Sequence, residues 1–402
     1  MADEPKNTAV SDPSIPVPSK TAVKMIDELK APKKELRLRD KNWSWPFFIL
    51  VLAYVLTLAI VAVRIYGTGS TGGNVMFLLA TLVGGGLAGI ILYNLGKLIF
   101  ANASGYSMDS FDFSGIHWEK GRNRKWYFVG SDFLEFHSHF VPKKEKLDAD
   151  PLVMSLGGLI VWAIAFGIVL ALAFTMDFSL TVKWGLVFGA ALSASYPIYQ
   201  ASPFREDIAP DIYVLVSTRN RENRKAFNLL AINQANAFAD KDLLVPDFKD
   251  YETYWKARTL RYLYLDKLYK GEVEDCIKLL SQAHYLSPLL SDKEKAIAAG
   301  ERLFILVLLN DRSGADNLFI MLPKSIKVEL VRASDLSQAR SAFIVSGLIL
   351  DRSDASNELV TFFKTNLPST SKSIKVSKEK QYFTLAYDKV KELNPNFKLP
   401  QM

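Results

Sequence analysis

Apolar residues are distributed along this chain in two regimes. Between residues 45 and 199 they come in uninterrupted runs; from about residue 224 onward they recur every three or four positions among polar ones. A helix that crosses a bilayer needs roughly 20 largely apolar residues, and the first regime predicts four spans, over 45–63, 75–95, 152–176 and 184–199. None of the four contains Asp, Glu, Lys or Arg. The fourth is closed early by Pro197 and made polar at its end by Ser193, Ser195 and Tyr196.

The second regime predicts helices over 224–239, 254–269, 273–285, 292–309, 336–350, 355–364 and 378–393, with Gly271, Pro288, Pro323, Pro368 and Pro395 at intervening breaks. From 254 to 322 the pattern resembles tetratricopeptide-type helix-turn-helix repeats, with Ala283 and Pro288 where that motif would have them but no fixed period. A partner-binding helical domain and a plain helical bundle both fit. Between the second and third spans, 111–119 and 125–129 are aromatic, β-prone runs flanking a Lys120-Gly-Arg-Asn-Arg turn, which predicts a hairpin near the membrane. Residues 1–43 carry Pro13, Pro16 and Pro18 among Ser, Lys and Asp and read as a disordered leader, with a short helix over 21–29.

The resulting expectation is a mainly α protein: a four-span membrane module, a small membrane-proximal β-hairpin and a C-terminal cytoplasmic α-helical, partly repeat-like domain. Its segments are a leader at 1–43, a membrane domain at 44–203 with a cytoplasmic loop at 101–151, a membrane-proximal segment at 204–250 and a helical domain at 251–402. Basic residues set the orientation, since short cytoplasmic loops retain Lys and Arg. Lys33, Lys34, Arg37, Arg39 and Lys41 precede the first span, and Lys120, Arg122, Arg124, Lys125, Lys143, Lys144 and Lys146 fill the second loop. The first loop, 65–74, has no charge, and the third has only Asp177 and Lys183. Both termini are expected in the cytoplasm of a multi-pass plasma-membrane protein. Trp43, Trp45 and Trp184 sit where interfacial aromatic rings belong. The opening Met-Ala-Asp-Glu-Pro does not read as a basic region ahead of an apolar core, so no cleavable signal peptide is expected.

Composition sharpens this picture in three ways. The chain is 49% hydrophobic although 23% of its 402 residues are charged, which fits segregation into a membrane part and a polar part. Its net charge of +7 suits anionic headgroups. No aromatic-interleaved basic patch accompanies it, so nucleic acid is not an expected partner. The single cysteine, Cys276, cannot form an internal disulfide and reads as a small apolar core residue.

The candidate chemistry lies at the end of the second span. The stretch Tyr93-Asn-Leu-Gly-Lys-Leu-Ile-Phe, followed by Ser104-Gly-Tyr and the hairpin of 111–129, resembles the His-Glu-Leu-Gly-His-Leu-Ile-Phe-type segment of bacterial site-2-protease-like intramembrane metallopeptidases. After the fourth span, Pro210-Asp-Ile-Tyr-Val-Leu-Val-Ser-Thr-Arg-Asn resembles that family's Asn-Asp-Gly-Tyr-Asn segment, and Arg224-Lys-Ala-Phe-Asn-Leu-Leu-Ala-Ile-Asn resembles the helix beyond it. The similarity covers roughly residues 45–250. In an active member the two histidines and the later aspartate bind zinc while the glutamate activates water. Here Tyr93 and Lys97 stand at the histidine positions and Asn94 at the glutamate; Asp211 alone matches. Tyrosine is a rare zinc ligand, asparagine cannot accept water's proton, and a lysine ammonium repels the cation. Zinc, and any other cofactor, is therefore expected to be absent, and no residue is assigned as catalytic.

Two readings of the exchanged residues stay open. Lys97 and Asp211 form an ion pair that ties the spans together in place of a metal, or Lys97 snorkels to the headgroups while Asp211 is solvated. His137 and His139 share one face of a strand and offer another metal pair, with Asp132 and Glu135 nearby in sequence; polar loop histidines are the plainer reading, and His117 and His284 lie apart. Gly84-Gly-Gly, Gly89 and Gly157-Gly allow close helix approach. Gly67-Thr-Gly-Ser-Thr-Gly-Gly lacks the lysine of a phosphate-binding loop. The functional expectation is a catalytically silent protease relative that scaffolds membrane partners: lipid, a membrane protein or transmembrane segment, and a protein on the cytoplasmic helical domain. The alternatives are an active metallopeptidase with displaced ligands such as His137 and His139, and a membrane-anchored helical-repeat adaptor unrelated to proteases.

Overall fold

Where the chain is apolar on every side it forms helices too long and too greasy for a soluble core. The computed structural model describes residues 44–67, 71–113, 116–120, 126–130, 136–202, 210–238, 241–245, 254–366 and 374–400. The expectations for the leader, for Trp43, for residues 68–70 of the glycine-rich first loop, for the turn at 121–125 and for Asp132 and Glu135 lie outside these residues. So do those for the His117 and His137 side chains. Residues 71–74, read as part of that loop, belong to a helix. The chain divides into two units, one over 39–251 and one from 252 onward.

The first unit begins with α1 (Ser44–Tyr66) and α2 (Thr71–Ala103). A four-stranded antiparallel sheet follows, of β1 (Tyr106–Phe113), β2 (Ile116–Lys120), β3 (Trp126–Gly130) and β4 (Phe136–Pro142), in the order β3-β2-β1-β4. The expected hairpin is thus only part of the sheet. The 136–142 segment adds a strand to the far side of β1, with His139 opposite Ser110 and His137 opposite Asp112. A bulge between Met108 and Ser110 interrupts the β1–β4 register. Next come α3 (Leu152–Thr175), α4 (Leu180–Ser193), α5 (Ser195–Gln200), α6 (Asp211–Ser217) and α7 (Arg221–Phe238).

Three helices among the described residues are long and apolar enough to cross a membrane, over Pro46–Tyr66, Phe77–Ala103 and Leu152–Thr175. The expected fourth span is corrected. Its helix starts earlier, at Leu180, and α4 stops after 14 residues, a length of about 21 Å against the roughly 30 Å of hydrocarbon to be crossed. The chain turns at Ala194 and continues as the six-residue α5. Pro197 explains the break: it has no N–H to donate to the Ser193 carbonyl one turn back.

Helices α3 and α4 pack closely on α2 because glycines remove the side chains between them. A methyl group placed at Gly89 would sit 2.1 Å from the Ser193 carbonyl oxygen, and one at Gly96 would sit 2.4 Å from that of Gly157. At Gly89 the nearest atoms are backbone, which cannot swing aside. Gly89→Val is therefore expected to lower stability by about 1–3 kcal/mol, whereas Gly84→Val, with nothing within 4 Å of its added carbon, should be nearly neutral. Thermal unfolding in detergent checks the contrast.

Among its described residues the second unit has helices and no strand: α8 (Tyr254–Tyr269), α9 (Val273–Tyr285), α10 (Asp292–Leu308), α11 (Arg312–Met321), α12 (Lys324–Leu330), α13 (Leu336–Ile344), α14 (Ser353–Asn366) and α15 (Ile374–Leu393). Gly271 ends α8 with φ +77°. The bonds Gly271 N–H to Leu268 O (3.0 Å) and Glu272 N–H to Lys267 O (2.9 Å) complete a left-handed C-cap that favours glycine. Ser291 and Glu294 form a capping box at the start of α10. Helix α10 is buried from Ala296 to Val307, which makes it the axis of this unit. One π-helical turn, Val345–Ile349, extends α13.

Within this core lies a cluster that hydropathy alone does not announce. Arg340 on α13 is fully buried, paired with Glu301 of α10 at 2.9 Å and Glu379 of α15 at 3.1 Å. Its guanidinium lies 3.9 Å from the centre of the Phe304 ring. Tyr269 donates to Glu379 at 2.8 Å. Burial pushes the Glu301 carboxyl up from its ordinary 4.5 to about 7, against the pull of Arg340 and with the push of Glu379. Cys276 is buried nearby in the core of this unit, and burial raises its thiol pKa.

Candidate functional site

Residues 93–97 fall within the last turns of α2, so Tyr93 and Lys97, four apart, share one face of the helix. Asp211 opens α6, a helix that Pro210 starts from an extended conformation. The fold brings these pieces together. Lys97 Nζ lies 2.9 Å from Asp211 Oδ1, and the Tyr93 hydroxyl donates to Asp211 Oδ2 at 2.8 Å. Lys97 and Asp211 are each only 6% exposed. Lys97 does not reach out to the surface, and Asp211 is not solvated.

Asn94 stands apart from the carboxylate. Its side-chain N–H donates to the Ile90 carbonyl at 2.9 Å, and its oxygen accepts from Ser138 of β4 at 2.8 Å. The Tyr196 ring of α5 meets that of Tyr93 edge-on at 5.4 Å. Gln200 of α5 accepts from the Asp211 backbone N–H at 3.3 Å. The Phe140 ring of β4 lies 5.8 Å from the Lys97 ammonium. One polar network thus joins α2, β4, α5 and α6 in a buried setting. Each member offsets a desolvation cost that it would otherwise bear alone.

This donor set does not fit zinc. The metal needs several deprotonated ligands, yet both Asp211 oxygens are engaged, one by an ammonium and the other by a hydroxyl proton. No family model, curated protein or solved structure matches the chain. The resemblance to site-2-type proteases therefore rests on the residues quoted above alone.

No three His, Cys, Asp or Glu side chains gather into a metal-sized cluster among the described residues. His137 and His139 stand two apart on β4, and Asp112 is the register partner of His137 on β1. His284 lies in the other unit, 3.0 Å from Arg302, whose pKa burial lowers to about 10.

Sequence reasoning missed Ser138 and Gln200 as members of the network and Tyr196 beside it. It also missed Tyr106 and Asn228, which sit inside the two segments that carry the resemblance. The Tyr106 hydroxyl donates to Asn228 Oδ1 at 2.7 Å and lies 3.0 Å from the Ala149 carbonyl. Asn228 donates to the Leu147 and Ala149 carbonyls at 2.7 and 2.8 Å. The Ser104-Gly-Tyr and Lys225-Ala-Phe-Asn motifs thus clamp the loop before α3. Burial raises the Tyr106 hydroxyl pKa, with Asn228 acting in the opposite sense. Tyr106→Phe leaves a buried amide oxygen without its donor and is expected to cost about 1–3 kcal/mol. Hydrogen exchange of 104–108 and 225–230 should rise together.

Proposed function

We propose that this chain is a catalytically silent relative of site-2-type intramembrane proteases that binds or scaffolds membrane partners. In this reading it resides in the plasma membrane as a multi-pass protein with both termini in the cytoplasm. The Lys97–Asp211–Tyr93 cluster carries the reading. At the three positions where the family would have zinc ligands, buried side chains converge on one another, and the Lys97–Asp211 pair and the Tyr93–Asp211 hydrogen bond join α2 to α6. The membrane part keeps a polar, helix-lined centre, while the groups needed to activate water are replaced. Candidate occupants of the surface around α2 and α6 are transmembrane segments that an active relative would cut and that this chain only holds.

The test is a paired cleavage and capture experiment on the purified chain in vesicles. Photo-cross-linkers on the exposed faces of α2 and α6, for example at Leu95 and Ile212, are expected to trap a transmembrane segment, and the trapped segment is expected to be intact. Cleavage that needs added zinc and is lost in Asp211→Ala would overturn the silent reading. Cleavage lost instead on substituting His137 or His139, with stoichiometric bound zinc, would move the activity to displaced ligands. Capture confined to the second unit would favour a helical adaptor.

A further inference from the structure

The turn between α11 and α12 presents side chains of the wrong polarity for water. Ile320 is 68% exposed and Met321 54%, and Val328 and Val331 are also exposed. Around them stand Lys324 and Arg332, both exposed, and Lys327. The Lys327 ammonium lies 5.2 Å from the centre of the Phe319 ring and donates to the Ile320 carbonyl at 2.9 Å. No acidic residue occurs from Asn317 to Val328, and Glu329 is taken up by Arg332 at 2.7 Å. An aliphatic tip with a basic rim is the composition of a segment that sits at a lipid headgroup boundary. Protein interface cores are enriched in aromatic side chains, Met and Arg but depleted of Lys, and the cations beside this tip that no carboxylate among the described residues takes up, Lys324 and Lys327, are lysines.

We propose that the α11–α12 tip docks on an anionic lipid surface, with Ile320 and Met321 entering the headgroup boundary and Lys324 and Lys327 facing lipid phosphates. Charge complementarity selects this occupant. The three long apolar helices of the same chain keep a bilayer at high effective concentration for the tip. The inference does not depend on the protease resemblance.

The full chain carrying Met321→Cys, labelled with an environment-sensitive fluorophore, tests it in vesicles of phosphatidylcholine with or without phosphatidylglycerol. Cys276 is buried, which leaves the introduced thiol as the labelling site. In anionic vesicles the emission is expected to shift to the blue and to be quenched by lipids brominated on their acyl chains. Lys324→Glu with Lys327→Glu should lower the docked-to-undocked ratio roughly tenfold or more. A label at the exposed Asn357 on α14 should be unaffected in the same variant, which shows that the unit still folds. Equal quenching in neutral vesicles, or quenching that survives charge reversal, overturns the proposal. So does a blue shift without bromine quenching: if it scales with protein density, a second copy covers the tip, and if it does not, another part of the chain does.

Discussion

Replacing Lys97 by methionine is expected to destabilise the membrane unit by about 3–5 kcal/mol, because it leaves the Asp211 carboxylate buried without its counter-charge. Asp211→Leu alone should cost a similar amount, since it strands the ammonium and removes the acceptor of the Tyr93 hydroxyl. The double variant Lys97→Met with Asp211→Leu should recover most of the loss, because a buried ion pair is often no better than apolar side chains of similar size. Hydrogen exchange of peptides covering 93–103 and 211–217 in detergent reads the effect within this unit. Single variants that exchange like the wild type would mean that the pair contributes nothing to holding α2 against α6. A double variant as unstable as the singles would mean that its hydrogen bonds to the rest of the network matter more than its charge balance.

The second large effect is expected at Arg340. Arg340→Met leaves Glu301 and Glu379 buried together in the helical unit, and about 3–5 kcal/mol should be lost at neutral pH, with much of it regained as acid protonates the glutamates. The wild type should also respond to pH through Glu301. Its carboxyl is raised to about 7 when folded, so the folded chain retains a proton that the unfolded chain releases above about 4.5. Its contribution to stability is therefore complete below pH 4.5 and is lost as the pH rises through 7. The groups around it are Arg340, Glu379 and Asp335, with Tyr264 and Cys276 close enough for their own pKa values to register its charge. Glu301→Gln removes the titration and should flatten this part of the profile. Exchange rates in α10, α13 and α15, followed from pH 5 to 8 and corrected for intrinsic exchange, decide it.

Much of the architecture could be read from hydrophobic spacing. Three apolar runs became three long helices, and the breaks at Gly271 and Pro288 separate helices because one needs a left-handed backbone and the other cannot donate an N–H. The fourth run misled because its composition suits a membrane while its length and Pro197 do not. Helices α11 and α12 went unread, since each is short and the apolar positions at their junction face outward. At the candidate site the sequence supplied the four positions but left the pairing open. Whether Lys97 turns inward depends on Asp211 arriving from 114 residues away, a contact that no local pattern encodes. Ser138 and Gln200 were invisible for the same reason: each earns its place only through a partner on a distant element.

The short α4 has a consequence for the surrounding lipid. In a bilayer, acyl chains that stay in register with a 14-residue helix would compress by several ångströms relative to those lining α1 or α3. The expected result is a shallow dimple beside the chain's own broken helix. A foreign helix drifting along that edge would find less hydrocarbon to shelter its ends than it had elsewhere.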